Sequence, residues 1–441
     1  MSLPPPPWTS PTLASALLAC LAGGVAGQVA APGPSGSAAP APGGPALPAL
    51  VELELPRLGG PPLQELGSDP PAAGAWDIRF GGVLTLDGVW YGHGNSRDPR
   101  IETEHAIPLL TGEAPDGRSR FRIAPDLKGR RTENNLWEGW YEWDLAPTTH
   151  LQVGQVRAMA GTEADTQPWD LPFVGYGFTS FHASRLDWGA KVDGASPSGW
   201  WGMASLTAGA GVDLAGEEKN DSPQIMVRGI ATPPPDERGA FEGFFGGASL
   251  AHNPEFDDSI RVDNPLHQTV FVTPPLDGDE ASWLMVELGY RRGPFRSGFE
   301  MMNGEVNDVP VPAGGTEDID QIGAWMAWMS WNFHGEAAVW SRGRWQPHEF
   351  DADAPWSERP FELAVRYTNS DIDRTLFDEG ITNYTQSTQE VRTFSGALST
   401  YASASDRLLL QWTKTIADHE IRPFDFRNRD SSWVLRYDHW F

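Results

Sequence analysis

The stretch 433–441 reads WVLRYDHWF. Trp433, Leu435, Tyr437 and Phe441 fall on alternate positions, with Arg436 and Asp438 between them. Successive side chains of a strand point to opposite faces, so this spacing predicts a strand with one aromatic-apolar face and one charged face. His439 interrupts the apolar set. The same period runs back to Trp76. In 76–91, WDIRFGGVLTLDGVWY, the residues Trp76, Ile78, Phe80, Leu84, Leu86 and Trp90 share a face, against Asp77, Arg79, Thr85 and Asp87. Trp137, Tyr141, Trp143 and Leu145 oppose Glu138, Glu142 and Asp144, and Trp188, Ala190 and Val192 oppose Asp187, Lys191 and Asp193. Leu284, Val286, Leu288 and Tyr290 oppose Glu287 and Arg291, and Phe295, Phe299 and Met301 oppose Arg296 and Glu300. Trp325, Met329, Trp331 and Phe333 oppose Ser330, Asn332 and His334. Leu363, Val365 and Tyr367 oppose Glu362, Arg366 and Thr368, while Leu408, Leu410 and Trp412 oppose Arg407, Gln411 and Thr413.

A soluble β-sandwich shows the same alternation, with its core inside and polar residues outside. Three features favour a closed barrel in a membrane. The strands are long. Their apolar faces carry Trp and Tyr toward the strand ends, where an amphipathic ring suits a membrane interface. Charged stretches at 93–118, 252–281 and 302–320 read as long loops that alternate with short turns such as 292–294. No stretch of about 18 apolar residues supplies a helical span, but a spanning strand needs only about 9–11 residues, alternately apolar. A mean hydropathy of −0.38 therefore does not argue against a membrane. A terminal aromatic after alternating apolar residues resembles the assembly signal of bacterial outer-membrane proteins, carried here by Trp433, Leu435, Tyr437 and Phe441. No helical segment in 76–441 supports an α/β architecture. The fold class is all-β, a transmembrane antiparallel barrel.

The net charge of −27 excludes nucleic acid as a partner, because phosphate binding needs a basic surface. Residues 1–27 are expected to be a signal peptide: 12–27, TLASALLACLAGGVAG, form its apolar run, although no Lys or Arg precedes them. Leu17-Leu18-Ala19-Cys20 matches a lipobox, but a cysteine that happens to sit in an apolar signal explains it more simply. Cys20 is the only cysteine, so no internal disulfide forms. Residues 28–75, rich in Pro, Ala and Gly, read as a flexible linker, which leaves 76–441 as the barrel domain.

Several segments resemble, in order, the phosphate-selective porins O and P. They are FGGVLTLDGVW (80–90), HLQVGQVRA (150–158), TSFHASRLDWGAKVDG (179–194), VELGYRRGPFRSGFEMM (286–302), SWNFHGE (330–336) and FELAVRYTNSDID (361–373). The resemblance implies sixteen strands and a homotrimer. It also implies a loop, here 159–184, that folds into the lumen and narrows the pore.

By parity, the lumen receives Arg79, Arg157, Lys191, Arg296, Arg366, Arg407 and Arg436. It also receives Asp77, Asp87, Glu138, Glu142, Asp187, Glu287, Glu300, Glu362 and Asp438. An anion pore needs rings of Arg or Lys and a cation pore rings of Asp or Glu; this mixture is neither, and cross-strand pairing is its expected role. Arg157 and Arg185 flank the inward loop and are the leading constriction candidates, followed by Lys191, Arg79 and Arg366. The expected function is passive diffusion of small hydrophilic solutes or ions across a bacterial outer membrane, with phosphate as a possible anion. The alternatives are a non-conducting structural barrel and a soluble exported carbohydrate-binding protein. No HExxH, CxxC, phosphate-binding glycine loop or GxSxG occurs, so neither enzyme activity nor a cofactor is expected. The acidic stretches HNPEFDD (252–258) and DGDE (277–280) lack the spaced ligand set of a calcium site.

Overall fold

The computed structural model describes residues 64–65, 74–92, 97–128, 136–182, 184–196, 198–208, 222–233, 242–257, 259–266, 268–348, 355–425 and 427–441. The expected signal peptide, Cys20 and nearly all of the expected linker lie outside the described residues.

Sixteen strands form the wall. In chain order they are β1 (Asp77–Tyr91), β2 (Arg100–Glu113), β3 (Ser119–Pro125), β4 (Leu136–Ala146), β5 (Thr149–Met159), β6 (Ser184–Ala195), β7 (Trp200–Thr207) and β8 (Gln224–Ala231). They continue with β9 (Phe244–Asn253), β10 (Glu280–Arg292), β11 (Phe295–Pro310), β12 (Thr316–Asn332), β13 (Phe361–Ile372), β14 (Glu390–Ser403), β15 (Asp406–Ile421) and β16 (Arg427–Trp440). Each strand pairs antiparallel with the next, and β16 pairs with β1 from Val83↔Trp440 to Tyr91↔Ser432. The sheet is closed, so no wall strand is left as an open edge. At the seam the Gly82 and Phe441 backbones exchange hydrogen bonds of 3.0 and 3.2 Å. Among the described residues no helix is long and apolar enough to cross a membrane.

The alternation places apolar side chains outward. Phe80, Trp188, Leu288, Met329, Leu363, Leu410, Trp433, Leu435 and Phe441 are all exposed. Rings meet one another around the outside, as in Trp331–Phe295–Tyr290–Phe244 and Trp143–Tyr141–Trp76–Phe121. Most of the expected inward arginines and carboxylates are buried, from Asp87 and Glu138 to Arg436 and Asp438, while Asp77, Arg79 and Lys191 are half-exposed.

Two expectations need correction. The stretch 93–118 is not one loop, because it contains β2, and 302–320 is a hairpin joining β11 to β12 through 311–315. β2 escapes a parity reading because the register shifts opposite Thr85 and Leu86, which turns the consecutive residues Glu104 and His105 both inward. A second irregularity, opposite Ala124 and Pro125, turns Trp137 from the expected outer face into the barrel, where it meets His105 and Trp169.

Connections after odd-numbered strands lie at one end of the barrel and those after even-numbered strands at the other. At the second end most are short, such as 147–148, 293–294 and 404–405. The longer ones are 232–243, between β8 and β9, and 333–360, between β12 and β13.

Candidate functional site

Three segments enter the barrel and meet. The first, 160–183 between β5 and β6, corresponds to the expected inward loop. It is built from short helical turns at Thr162–Asp165, Pro168–Asp170 and Thr179–His182. It starts at Gly161, whose φ is +89° and whose added Cβ would lie 2.4 Å from Met285 Sδ and 2.7 Å from Glu300 Oε2 on the far wall. The positive φ favours glycine here, and any side chain would also have to push Met285 and Glu300 aside.

Beyond Gly161 the segment is pinned to β10, β11, β13 and β15. Thr162 Oγ1 donates to Glu287 Oε2 at 2.5 Å, and the Glu163 N–H donates to Glu300 Oε1 at 2.7 Å. Arg366 Nη1 donates to Glu163 Oε1 at 2.5 Å. The Val174 N–H donates to Gln411 Oε1 at 2.8 Å, and Arg407 Nη1 to the Leu171 carbonyl at 2.9 Å. On the near side Arg157 donates to Glu138 at 3.1 Å, to the Ala164 carbonyl at 3.0 Å and to Gln167 at 2.9 Å.

The second segment, 254–279 between β9 and β10, buries Val262, Leu266, Val270 and Phe271. Its Asn264 donates to Thr415 on β15 at 3.4 Å, and its Gln268 to Asp430 on β16 at 3.1 Å. The third enters from the other end, as a hairpin within 333–360 that pairs Trp340 with Trp345. Arg342 there donates to both carboxylate oxygens of Asp193 at 3.1 Å. The Trp345 N–H donates to Thr166 Oγ1 at 3.1 Å, and Arg228 Nη2 to the Gly343 carbonyl at 2.8 Å. The Trp345 ring is fully buried against Phe245, Trp328 and the Arg296 guanidinium.

The lumen is therefore drier than parity implied. Phe173, Val174, Phe178, Leu266, Phe271 and Trp345 form one apolar cluster with Met226, Phe245 and Trp328 of the wall. Each large side chain buried this way contributes about 1.5–3 kcal/mol to holding the segments in place. Around the cluster run ion pairs: Arg436 on Asp87 at 2.7 Å, Arg407 on Asp438 at 2.8 Å, Arg296 on Glu362 at 2.9 Å and Arg228 on Glu287 at 2.7 Å. These are cross-wall pairs of the kind expected. Among the described residues seven arginines and fifteen Asp or Glu are buried, with Arg120, Lys191, Arg342 and Arg344 half-buried beside them.

The expected constriction residues separate. Arg157 and Arg366 contact the inward segment directly. Lys191 stands beside it, its Nζ donating to the Arg157 carbonyl at 3.2 Å. Arg79 does not belong to the group: it lies near the start of β1, at the barrel end opposite the origin of 160–183, and is paired with Asp77 at 2.5 Å. Arg185 starts β6 opposite Ala158, and its side chain lies outside the described residues.

Arg122, Arg228, Arg342 and Glu163 carry much of the site and were not among the leading candidates. Arg122 was readable, since Arg120 and Arg122 alternate with Phe121 and Ile123. Arg228 was not, because QIMVRGIA (224–231) is apolar on both faces. Burial pushes the Asp170 carboxyl up to about 7, against the opposing pull of the Arg407, Arg344 and Arg122 guanidiniums.

Glu142, Asp144 and His150 bring ligand-type atoms within 4.8 Å of one another. Arg120 already bridges both carboxylates, at 3.1 and 2.6 Å, and Arg342 lies 3.4 Å from Glu142. A dication there would have to displace these guanidiniums, so the cluster is better suited to ion pairing than to a metal.

No family model and no curated protein matches the chain. Solved structures match its fold. The outer-membrane channel DcaP of Acinetobacter baumannii is 12% identical, with 85% of this chain and 100% of that chain covered and a TM-score of 0.51. The trimer form of OmpT, an outer-membrane protein of Vibrio cholerae, is also 12% identical, with 83% and 100% covered and a TM-score of 0.51. The chain has a porin-like sixteen-stranded barrel fold.

Proposed function

We propose that this chain is an outer-membrane porin of low conductance, passing small hydrophilic solutes or ions through a lumen narrowed by 160–183, 254–279 and the 340–345 hairpin. The observation that carries this reading is a closed sixteen-strand wall with an aromatic-apolar exterior and a charged interior. A soluble protein would expose that belt to water at great cost, whereas a bilayer covers it. A signal peptide in 1–27 would export the chain, and a homotrimer follows the assembly named for the Vibrio structure.

The acid excess inside favours cations over anions. Phosphate selectivity, which the family resemblance implies, gains no support from arginines that are each already bound to a carboxylate. Planar-bilayer recording under a salt gradient tests the proposal: small steps with a reversal potential of cation-preferring sign are expected. The burial of lumenal side chains around the wall favours a second reading, a structural barrel without useful conductance. A folded protein that never carries current decides for that reading.

A further inference from the structure

Six of the seven buried arginines receive a carboxylate from the wall itself. Glu138 serves Arg122 and Arg157, Glu287 serves Arg228, Glu362 serves Arg296, Asp438 serves Arg407 and Asp87 serves Arg436. Arg366 is built differently. The wall residues beside it in register are Trp328 and Ser395, both uncharged. Its carboxylate comes from the inward segment: Glu163 Oε1, at 2.5 Å from Nη1.

The rest of the Arg366 guanidinium is unused. In Arg228, Arg296 and Arg436 the Nε–Nη2 edge grips a carboxylate with two hydrogen bonds. In Arg366 the Nε and Nη2 atoms are buried and have no hydrogen-bond partner. One face of the group lies on the Phe173 ring, 4.3 Å from its centroid. Guanidinium edges of this kind bind planar or tetrahedral oxyanions and halides well, and a buried one without a partner is costly.

Glu163 is itself fixed. Its Oε2 accepts from the Gly177 N–H at 2.6 Å and from Ser180 Oγ at 3.0 Å, so the carboxylate ties the segment to itself as well as to β13.

We infer that Glu163 is a built-in counter-ion that sets the ion preference of the lumen: it occupies Arg366 and keeps that arginine from serving as an anion site. Neutralising Glu163 removes the charge that balances the buried guanidinium, and a small mobile anion then enters at its already vacant Nε–Nη2 edge. This inference rests on the channel reading above. It goes beyond that reading by assigning selectivity to one pair between the wall and the inward segment.

The test is the reversal potential in a potassium chloride gradient for the full-length wild type, E163Q, R366Q and the double variant E163Q/R366Q. Folding of each is checked by heat-modifiable gel migration. E163Q is expected to raise the chloride-to-potassium permeability ratio several-fold. R366Q, which leaves Glu163 without its cation, is expected to lower it, and the double variant to return close to wild type. A folded, conducting E163Q with the wild-type ratio overturns the inference and leaves the channel reading intact. If E163Q does not assemble, R366Q and the double variant decide: a lower ratio in R366Q supports the inference, and equal ratios overturn it. Folded proteins that carry no current in any form overturn the channel reading, and this inference with it.

Discussion

Two sides of the same barrel neutralise their lumenal charge in different ways. At the seam, β15, β16 and β1 neutralise their charges mainly among themselves, although Arg407 also donates to the Leu171 carbonyl of the inward segment. Arg436 grips Asp87 with bonds of 2.8 and 2.7 Å, while Asp438 accepts from Arg407 at 2.9 Å and from Thr85 at 2.7 Å. Across the lumen, on β8 to β13, the wall charges reach into the intruding segments. Arg228 holds Glu287 but also touches Asp165, Thr162 and the Gly343 carbonyl, and Arg366 holds Glu163. The Arg436–Asp87 pair of the seam stays within the wall strands and stiffens them without touching the plugging segments. The opposite side ties wall stability to the position of the plugging segments, so the two sides should respond differently to mutation.

Replacing Arg228 by Ala should have the largest effect. It leaves Glu287 without its cation and releases both 160–183 and the 340–345 hairpin. A stability loss of about 3–5 kcal/mol is expected, with a several-fold rise in unitary conductance, read by thermal unfolding in detergent and by bilayer recording. Replacing Arg436 by Ala should cost a similar ~3–5 kcal/mol, because Asp87 is left buried alone, yet leave conductance and ion preference unchanged. A changed ion preference in that variant would break the distinction between the two sides.

Gly82→Val probes the seam from outside. A Cβ at Gly82 would lie 2.5 Å from the Phe441 ring and 2.8 Å from the Ile107 carbonyl oxygen, so about 1–3 kcal/mol of destabilisation is expected. Slower barrel assembly, seen as delayed heat-modifiable migration during refolding, is the readout.

The smallest effect concerns pH. The Asp170 carboxyl is raised from an ordinary 3.8 to about 7 in the folded protein, so its proton is held more tightly when 160–183 is packed. Its contribution to packing is full below about pH 4 and is lost as pH rises through 7. Conductance should rise modestly between pH 5 and pH 8, and Asp170→Asn should flatten that profile.

The outer face was legible in the sequence because a period of two is all it requires. Trp433, Leu435, Tyr437 and Phe441 announce it, and closure of β16 on β1 follows from the same register. Parity failed where the register shifts, at Trp137 and at Glu104 and His105, since an extra residue in one strand reverses every face beyond it. The lumen was legible only in part. Arg157 and Arg366 meet the inward segment, but their partners Gln167 and Glu163 come from a stretch whose path no periodicity encodes. The hairpin at 340–345 left no signal of its own: its two Trp and two Arg read like another stretch of wall, and only the strand count puts it at the end where most connections are short.

That hairpin offers the most direct test of the central claim, a porin lumen narrowed from both ends. Residues 337–347 would be replaced by a short Gly-Ser link, and single-channel conductance compared with wild type after both proteins pass the heat-modifiability check. The account predicts small steps in the wild type and steps several-fold larger in the variant. Equal conductance in two folded proteins, or none in either, would contradict it.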